Sequence, residues 1–155
     1  MWRYLIEGGT ENFANALSFV SDVCWQTKYN PPAPKPVPEI EVYQWQKETQ
    51  KDSQSSPSKN NYCGVLFYRS HYLAGNTLPI DRLCQSIVAK NLTPIPIFIS
   101  SLRNIEVQQQ LLVLLQERAV KVLLNTTSFS LAKIGESSQL KFWSELDIPV
   151  LQVIL

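Results

Sequence analysis

The sequence predicts an α/β fold with a parallel sheet in flavodoxin-like or Rossmann-like layers. Apolar strands and amphipathic helices alternate after residue 62 at intervals of about 25 to 30 residues, the spacing of right-handed βαβ units. The strands are nearly continuous apolar runs, as expected where helices cover both faces of a sheet. An amino-terminal helix and a proline-rich, partly disordered connector precede these repeats.

Residues 1–29 form the first predicted segment, which is helical. Gly8-Gly9-Thr10 offers a turn and a threonine cap, and a helix is expected from Glu11 to Trp25. Apolar residues recur through it at helical spacing: Phe13, Leu17, Val20 and Cys24.

Residues 30–61 form the predicted connector. Its first part, Asn30 to Pro38, is too rich in proline for a helix or a central strand, and we expect a polyproline-II-like spacer. A short apolar island follows at residues 40–45. Residues 46–61 are polar and contain too few apolar groups to offset their ordering entropy, which predicts a mobile loop. A PxxP ligand for an SH3-like domain is the functional alternative to a plain connector.

Residues 62–155 are predicted to be the α/β domain. Its strands are expected near Gly64–Tyr68, Pro94–Ile99, Val120–Leu124 and Val150–Ile154. The first helix between them carries the core-facing stripe Ile80, Leu83, Cys84, Ile87 and Val88, and the next carries Val107, Leu111, Leu114 and Leu115. Asn91 suits the left-handed conformation that closes a helix, and Leu140 and Trp143 mark a shorter helix. Because the last strand ends without a polar exit, we expect a domain truncated at its carboxyl end, a fragment of a longer polypeptide.

The net charge, the apolar runs and the cysteine spacing exclude several classes of function. The net charge of +1 gives no electrostatic footprint for nucleic acid. The sequence contains no apolar run long enough to span a membrane and no signal-peptide pattern, so a cytoplasmic location is expected. The three cysteines lack CxxC spacing, and Cys63 and Cys84 lie in apolar patterns, which predicts reduced, buried thiols.

Polar residues follow three of the predicted strands. They are Arg69, Ser70 and His71 after the first, Ser100 and Ser101 after the second, and Asn125, Thr126, Thr127 and Ser128 after the third. In an open parallel sheet these groups gather beyond the carboxyl ends of the strands, where ligands bind. Each of them is also a common cap or turn former, so a structural role is the alternative.

The chain has a single histidine, His71, which could ligate a metal, shuttle a proton or orient an anion. Arg69 suits the carboxylates of a ligand, or could instead pair with Asp81. Asn76 and Thr77 open the next helix, where Thr77 is expected to act as the cap and the exposed amides could receive an anion.

Several motifs are missing from the sequence. It contains no GxxxxGK[ST] loop for ATP, no GxGxxG for a dinucleotide, no GxSxG elbow, and no HExxH or cysteine cluster for a metal. One histidine with scattered acids offers too few ligands for tight metal capture. If the parent protein is an enzyme, its energy source and part of its site come from elsewhere.

Several motifs, in consistent order, resemble the large subunit of ATP-dependent cobaltochelatase, the CobN family, with the magnesium chelatase H subunit as a more distant relative. They are the stretch from Gly64 to His71, Gly75-Asn76-Thr77, Pro79-Ile80-Asp81, Leu92 to Phe98, Asn125 to Phe129 and Leu146 to Ile154. The amino-terminal Gly8-Gly9-Thr10 helix and the proline-rich connection are also similar. One departure is the stretch Glu41 to Trp45, where the family pattern has a second histidine.

The resemblance implies a very large subunit that binds a tetrapyrrole and receives cobalt, or magnesium in the alternative. A separate AAA+ ATPase motor subunit and its partner subunit would use the ATP, which this piece does not bind. The substrate would be hydrogenobyrinic acid a,c-diamide, in cobalamin biosynthesis, whereas the magnesium enzyme would act on protoporphyrin IX. By placement and motif match, His71 becomes the candidate catalytic residue and a transient metal ligand. The candidate substrate-binding residues are Arg69, Ser70, Asn76, Thr77, Asn125 and Thr126.

Two other classes of function stay open. One is a non-catalytic α/β module that binds a small anion by itself. The other is a structural segment whose loop residues cap helices and support a site in later domains.

Overall fold

A computed structural model describes residues 1–45, 61–128, 142 and 144–154. The chain divides into two compact units. We call Met1–Pro38 with Ser70–Asn76 the helical unit, and Glu39–Arg69 with Thr77–Leu155 the sheet unit. The domain division expected from the sequence, at residues 29/30 and 61/62, stays a prediction.

The helical unit contains α1 (Trp2–Glu7) and α2 (Thr10–Trp25). Gly8 and Gly9 link them with φ of 68° and 89°, a left-handed backbone that side chains other than hydrogen rarely tolerate. The helix predicted from the apolar spacing is therefore present. Its cap position is held by Gly9, and Thr10 is the first helical residue instead of the expected cap.

Hydrogen bonds from the two helices hold the proline-rich stretch, which is neither helix nor strand, as predicted. The Tyr4 hydroxyl donates to the carbonyl of Pro32. The Asn12 amide donates to the Lys35 carbonyl at 2.8 Å and its oxygen accepts from the Lys35 backbone N–H at 3.0 Å. Asn12 is 3% exposed, and this pairing with Lys35 is partly buried.

The sheet unit is a five-stranded sheet in the order β1-β3-β2-β4-β5. The strands are β1 (Ile40–Val42), β2 (Tyr62–Tyr68), β3 (Thr93–Ile99), β4 (Val120–Asn125) and β5 (Val150–Gln152). The pairs β2–β3, β2–β4 and β4–β5 are parallel. The four predicted strands and their parallel pairing are thus confirmed.

The edge strand β1 was not predicted. It comes from the apolar island after the proline run and pairs antiparallel with β3, with Ile40 opposite Ile99 and Val42 opposite Ile97. An island of three strand residues has too little alternation to indicate a strand by itself, and the pairing depends on a long-range partner.

Helices connect the parallel strands. α3 (Arg69–Leu73) begins directly after β2, α4 (Leu78–Val88) precedes β3, and α5 (Ile105–Glu117) lies between β3 and β4. Asn91, with φ of 59°, has the left-handed backbone expected after α4. The Leu140 and Trp143 helix and the polar loop at 46–60 lie outside the described residues. None of the helices in the described part of the chain is long and apolar enough to cross a membrane.

The main core cluster of the sheet unit lies between the strands and α5. Its fully buried members include Leu66, Ile97, Ile99, Leu111 and Leu123. Position 64 in strand β2 requires glycine, because a Cβ there would lie only 2.8 Å from Leu123 Cδ1. Of the predicted α4 stripe, Ile80, Cys84 and Ile87 are buried, whereas Val88 is 38% exposed.

Candidate functional site

The carboxyl ends of β2 and β4 lie side by side, which brings two of the three predicted polar clusters to one edge. Leu66 pairs in register with Asn125. The backbone N–H and the hydroxyl of Thr126 both donate to the Leu66 carbonyl at 2.9 Å. Thr126 therefore extends the β2–β4 pairing, and its hydroxyl is engaged within the protein.

Asn125 is the centre of a closed hydrogen-bond ring at this edge. Its oxygen accepts from the backbone N–H of Thr127 at 3.1 Å and from the Thr127 hydroxyl at 2.7 Å. Its amide donates to Gln152 Oε1 at 3.0 Å, and Gln152 Nε2 donates to the Thr127 carbonyl at 2.8 Å. Asn125 and Thr127 are essentially fully buried, so this ring fixes the loop after β4 against β5.

Tyr68 and Ser128 form the exposed part of the same edge. Their hydroxyls share a hydrogen bond of 2.7 Å, and the Ser128 backbone N–H donates to the Tyr68 oxygen at 3.2 Å. The pair sits directly before Arg69 in the chain.

The short helix α3 carries Arg69, Ser70 and His71 in sequence, so the structure keeps these three candidates together. Ser70 and His71 are exposed. The backbone N–H of Asn76 donates to the His71 carbonyl at 2.9 Å, which closes the turn after α3. Asn76 is exposed as well, so the side chains of this turn are accessible to a ligand.

Thr77 belongs to a different hydrogen-bond chain of the sheet unit. Tyr43 donates its hydroxyl proton to Thr77 Oγ1 at 3.1 Å, and the Thr77 hydroxyl donates to Asp81 Oδ2 at 3.3 Å. Thr77 stands at the N-cap of α4, but its side chain makes no capping hydrogen bond to the backbone. The expected threonine cap is therefore wrong, because the hydroxyl is used by Tyr43 and Asp81.

Burial shifts the pKa values of three groups in the sheet unit, namely Tyr43, Cys63 and Cys84. Burial raises the pKa of the Tyr43 phenol, and the nearby Asp81 carboxylate adds to the increase. Burial also raises the pKa of Cys63 to about 11 and that of Cys84 to about 12. Both thiols therefore stay protonated and unreactive near neutral pH, as the sequence predicted for buried cysteines.

The second polar cluster, after β3, supports α5. The Ser100 backbone N–H donates to the Glu39 carbonyl at 2.7 Å, and Asn104 Nδ2 donates to Glu39 Oε2 at 2.9 Å. Asn104 Oδ1 accepts from the Glu106 backbone N–H and caps the helix. The polar groups of Ser100 and Asn104 therefore bond within the protein, in keeping with the structural role that was the alternative for the polar residues after this strand.

A groove of about 550 Å³ lies at the opposite edge of the sheet. Tyr62, Thr93 and Ala119 line it at the amino ends of β2, β3 and β4, and Trp45 and Arg118 contribute to its wall. Since ligands of open parallel sheets bind beyond the carboxyl ends, this groove is separate from the predicted site.

Within the described ranges no group of three or more histidine, cysteine, aspartate or glutamate side chains could hold a metal ion. The candidate residues predicted from the sequence are neutral hydrogen-bonding groups together with Arg69 and His71. Such a set can bind carboxylates and amides and can exchange a proton.

Sequence reasoning missed two residues that hydrogen-bond to the candidate residues. Gln152 bonds to Asn125, and Tyr43 bonds to Thr77. Gln152 is the one polar residue of the terminal apolar run 150–155, which was a usable signal. Tyr43 gave no such signal, because its role depends on β1 reaching β3.

A mostly parallel sheet with connecting helices and a polar edge at the carboxyl ends of its strands defines the class as an α/β protein. The sequence model of the CobN/Magnesium Chelatase family matches residues 2–155. The chain belongs to this family.

Two curated relatives are named as members of this family, and a solved structure shares the fold. The chain is 28% identical to the aerobic cobaltochelatase subunit CobN of Pseudomonas aeruginosa over 99% of its own length and 12% of that protein. It is 27% identical to the CobN subunit of a Sinorhizobium species, over 99% of the chain and 13% of that protein. The catalytic subunit of cobaltochelatase from Mycobacterium tuberculosis has the same fold, with a TM-score of 0.76 at 22% identity, over 98% of the chain and 13% of that structure. The chain thus spans about an eighth of the relatives' length.

Proposed function

We propose that this chain is part of the large, tetrapyrrole-binding subunit of an ATP-dependent cobaltochelatase. The observation that carries the proposal is the family match over residues 2–155. Both curated relatives described above are named as cobaltochelatase subunits. The reaction would insert cobalt, as substrate, into hydrogenobyrinic acid a,c-diamide. An AAA+ motor and its partner subunit would hydrolyse the ATP.

The substrate side of the proposal concerns Ser70 and Asn76 of the helical unit and, separately, Arg69 of the sheet unit. Arg69 would bind a carboxylate of the corrinoid through charge-assisted hydrogen bonds. Ser70 and Asn76, both exposed, would donate to peripheral amide or carboxylate oxygens. Ser70 and Asn76 have the exposure, and half-buried Arg69 has the charge, that a carboxylate-rich macrocycle needs.

Thr77, Asn125 and Thr126 would act differently within the same proposal. Their hydroxyl and amide groups already have partners in the protein. Their contribution to substrate binding would come from the backbone that they hold, namely the loop after β4 and the start of α4. Substituting them is expected to change stability first and affinity second.

His71 would be the catalytic residue. Insertion of a metal requires removal of pyrrole N–H protons while the metal loses its water shell, and an imidazole can accept a proton or bind the metal transiently. The exposure of His71 in the middle of α3 leaves its ring accessible to such a substrate. Metal capture by this segment alone is not part of the proposal, in keeping with the single histidine of the chain.

The family description also covers magnesium chelatase, which makes an H-type subunit acting on protoporphyrin IX the alternative. Equilibrium binding separates the two. The purified chain is titrated with hydrogenobyrinic acid a,c-diamide and with protoporphyrin IX, and binding is followed by tryptophan quenching and absorbance. Saturable binding of the corrinoid, with weaker porphyrin binding, is expected. The reverse preference would favour the magnesium enzyme, and the absence of both would favour the scaffold interpretation.

A further inference from the structure

The polar side chains of α2 make its hydrogen bonds within the helical unit. Buried Asn12 donates to the Gly8 carbonyl at 2.8 Å and pairs with Lys35. Near the other end of the helix, the Asp22 carboxylate accepts from the Thr27 hydroxyl and from the backbone N–H of Tyr29 and Asn30. Anchoring by polar groups leaves the apolar side of the helix available.

The apolar side faces solvent. We call Phe13, Leu17, Val20 and Cys24 the α2 stripe. Leu17 is 73% exposed, Phe13 is 40% exposed and Cys24 is exposed, while Val20 is half-buried. At 100° per residue these four positions lie within about 60° of arc, so they form one narrow stripe.

The stripe carries no charge. The only charged residues of α2 are Glu11 and Asp22, and both lie about half a turn away from the stripe. A solvated helix face normally carries charged side chains, whereas apolar residues at this spacing are typical of a face packed against another protein surface. The helix also contains no lysine or arginine, so nothing in it attracts an anionic lipid surface.

We propose that the α2 stripe is a docking surface for the remaining polypeptide of the cobaltochelatase large subunit, through an apolar surface of that polypeptide. This inference rests on the proposed function. Its occupant follows from the comparisons, because 98–99% of this chain aligns with only 12–13% of its relatives. The larger part of each relative lies outside the matched segment but in the same polypeptide, so it is present at a high effective concentration.

Cys24 is a built-in reporter for this surface. It is the exposed cysteine of the three, whereas Cys63 and Cys84 are 2% and 0% exposed. In the dilute chain alone, a maleimide is expected to modify one thiol rapidly, identified as Cys24 by peptide mass spectrometry. L17D should leave the melting temperature and this rate unchanged. Slow modification of Cys24 in the dilute chain, or unfolding of L17D, would show that the stripe packs within the chain and would overturn the proposal.

The partner is then added as the Pseudomonas aeruginosa cobaltochelatase large subunit lacking its matched segment. At saturation, labelling of Cys24 is expected to slow about tenfold or more, and L17D should raise the Kd about tenfold or more because it removes a buried leucine from the contact. A14D is the matched control, since it places the same carboxylate at an exposed position of α2 about a quarter turn from the stripe. It should keep the protection.

Three results would overturn the docking surface. The first is unchanged labelling of Cys24 with the partner present. The second is equal weakening by A14D and L17D. The third is protection that grows with the concentration of the chain alone, because the occupant would then be a second copy. If the truncated partner does not form a single folded species, the complete subunit with residues 1–155 in place of its matched segment is labelled instead.

Corrinoid binding measured in the same mixture separates this inference from the proposed function. Protection of Cys24 without corrinoid binding would support the docking surface and contradict the proposed substrate. Corrinoid binding with Cys24 still reactive would overturn the docking surface and leave the proposed function standing.

Discussion

The carboxamide oxygen of Asn125 accepts two hydrogen bonds from Thr127, at 3.1 Å from its backbone N–H and 2.7 Å from its hydroxyl. This relationship closes the loop that follows β4. It makes Asn125 a structural residue first, although its place after a strand is also that of a ligand-binding residue.

Asn125→Ala is therefore expected to reduce the free energy of unfolding by about 1–3 kcal/mol, because it leaves the buried Thr127 donors without an acceptor. Gln152→Ala should cost less, since Gln152 is exposed and water can replace its contacts. Urea denaturation of both variants measures the difference. Equal losses, or no loss for Asn125→Ala, would contradict a structural ring.

Gly64 is required by close packing. Gly64→Ala is expected to cost about 1–3 kcal/mol of stability, as other overpacked core substitutions do. The clash is with Leu123 Cδ1 at 2.8 Å. Leu123→Val removes that atom, so the double variant should lose less than the sum of the single losses. Strict additivity in a double-mutant cycle would mean that Leu123 is not the obstacle.

Asn12 holds the proline-rich stretch to α2. Asn12→Ala removes three hydrogen bonds, two of them to Lys35. We expect faster hydrogen exchange at the Lys35 amide, by about tenfold or more, because a buried hydrogen-bond partner is lost. The neighbouring exposed substitution Ala14→Ser serves as the control. An unchanged exchange rate at Lys35 would show that Asn12 does not hold the stretch.

The buried thiols predict a loss of stability at alkaline pH. Both pKa values are raised by burial, to about 11 for Cys63 and about 12 for Cys84, from an ordinary value of 9.0. The unfolded chain releases these protons above about pH 9 while the folded chain keeps them. The contribution is thus complete below pH 9 and decreases as pH rises towards the folded values, by up to about 1.4 kcal/mol per pH unit for each thiol.

Reversible unfolding under reducing conditions from pH 7 to pH 10.5 tests this prediction. Cys84→Ala should flatten the alkaline decline, whereas Cys24→Ala should not, because Cys24 is exposed. An identical alkaline slope in all three proteins would assign the decline to other groups.

The local pattern of the sequence was enough to predict the parallel core of the fold. Apolar runs bounded by turn residues predicted β2, β3 and β4, and the spacing of Ile80, Cys84 and Ile87 predicted α4. Strand β1 was missed because three residues gain their strand geometry from pairing with β3. Such a pairing has no local signature.

The candidate site was predictable only in part. Position after a strand brought Asn125 and Thr126 to the same edge as Tyr68 and Arg69, as expected for parallel strands. The sequence could not show which of these polar groups would form hydrogen bonds within the protein and so be unavailable to a ligand. Thr77 illustrates this, because its hydroxyl serves Tyr43, a residue 34 positions away in the chain.

The central proposal is that Arg69 of the sheet unit and His71 of the helical unit each contribute to binding a corrinoid. The most direct test compares the affinity of the chain for hydrogenobyrinic acid a,c-diamide with those of Arg69→Ala and His71→Ala. Arg118→Ala is the matched control, an exposed arginine at the opposite edge of the sheet unit. The Arg69→Ala variant should bind the corrinoid about tenfold more weakly, because a charge-assisted contact is lost. The affinity of the Arg118→Ala variant should equal that of the unsubstituted chain. Equal affinity of Arg69→Ala, His71→Ala and the unsubstituted chain would contradict the claim.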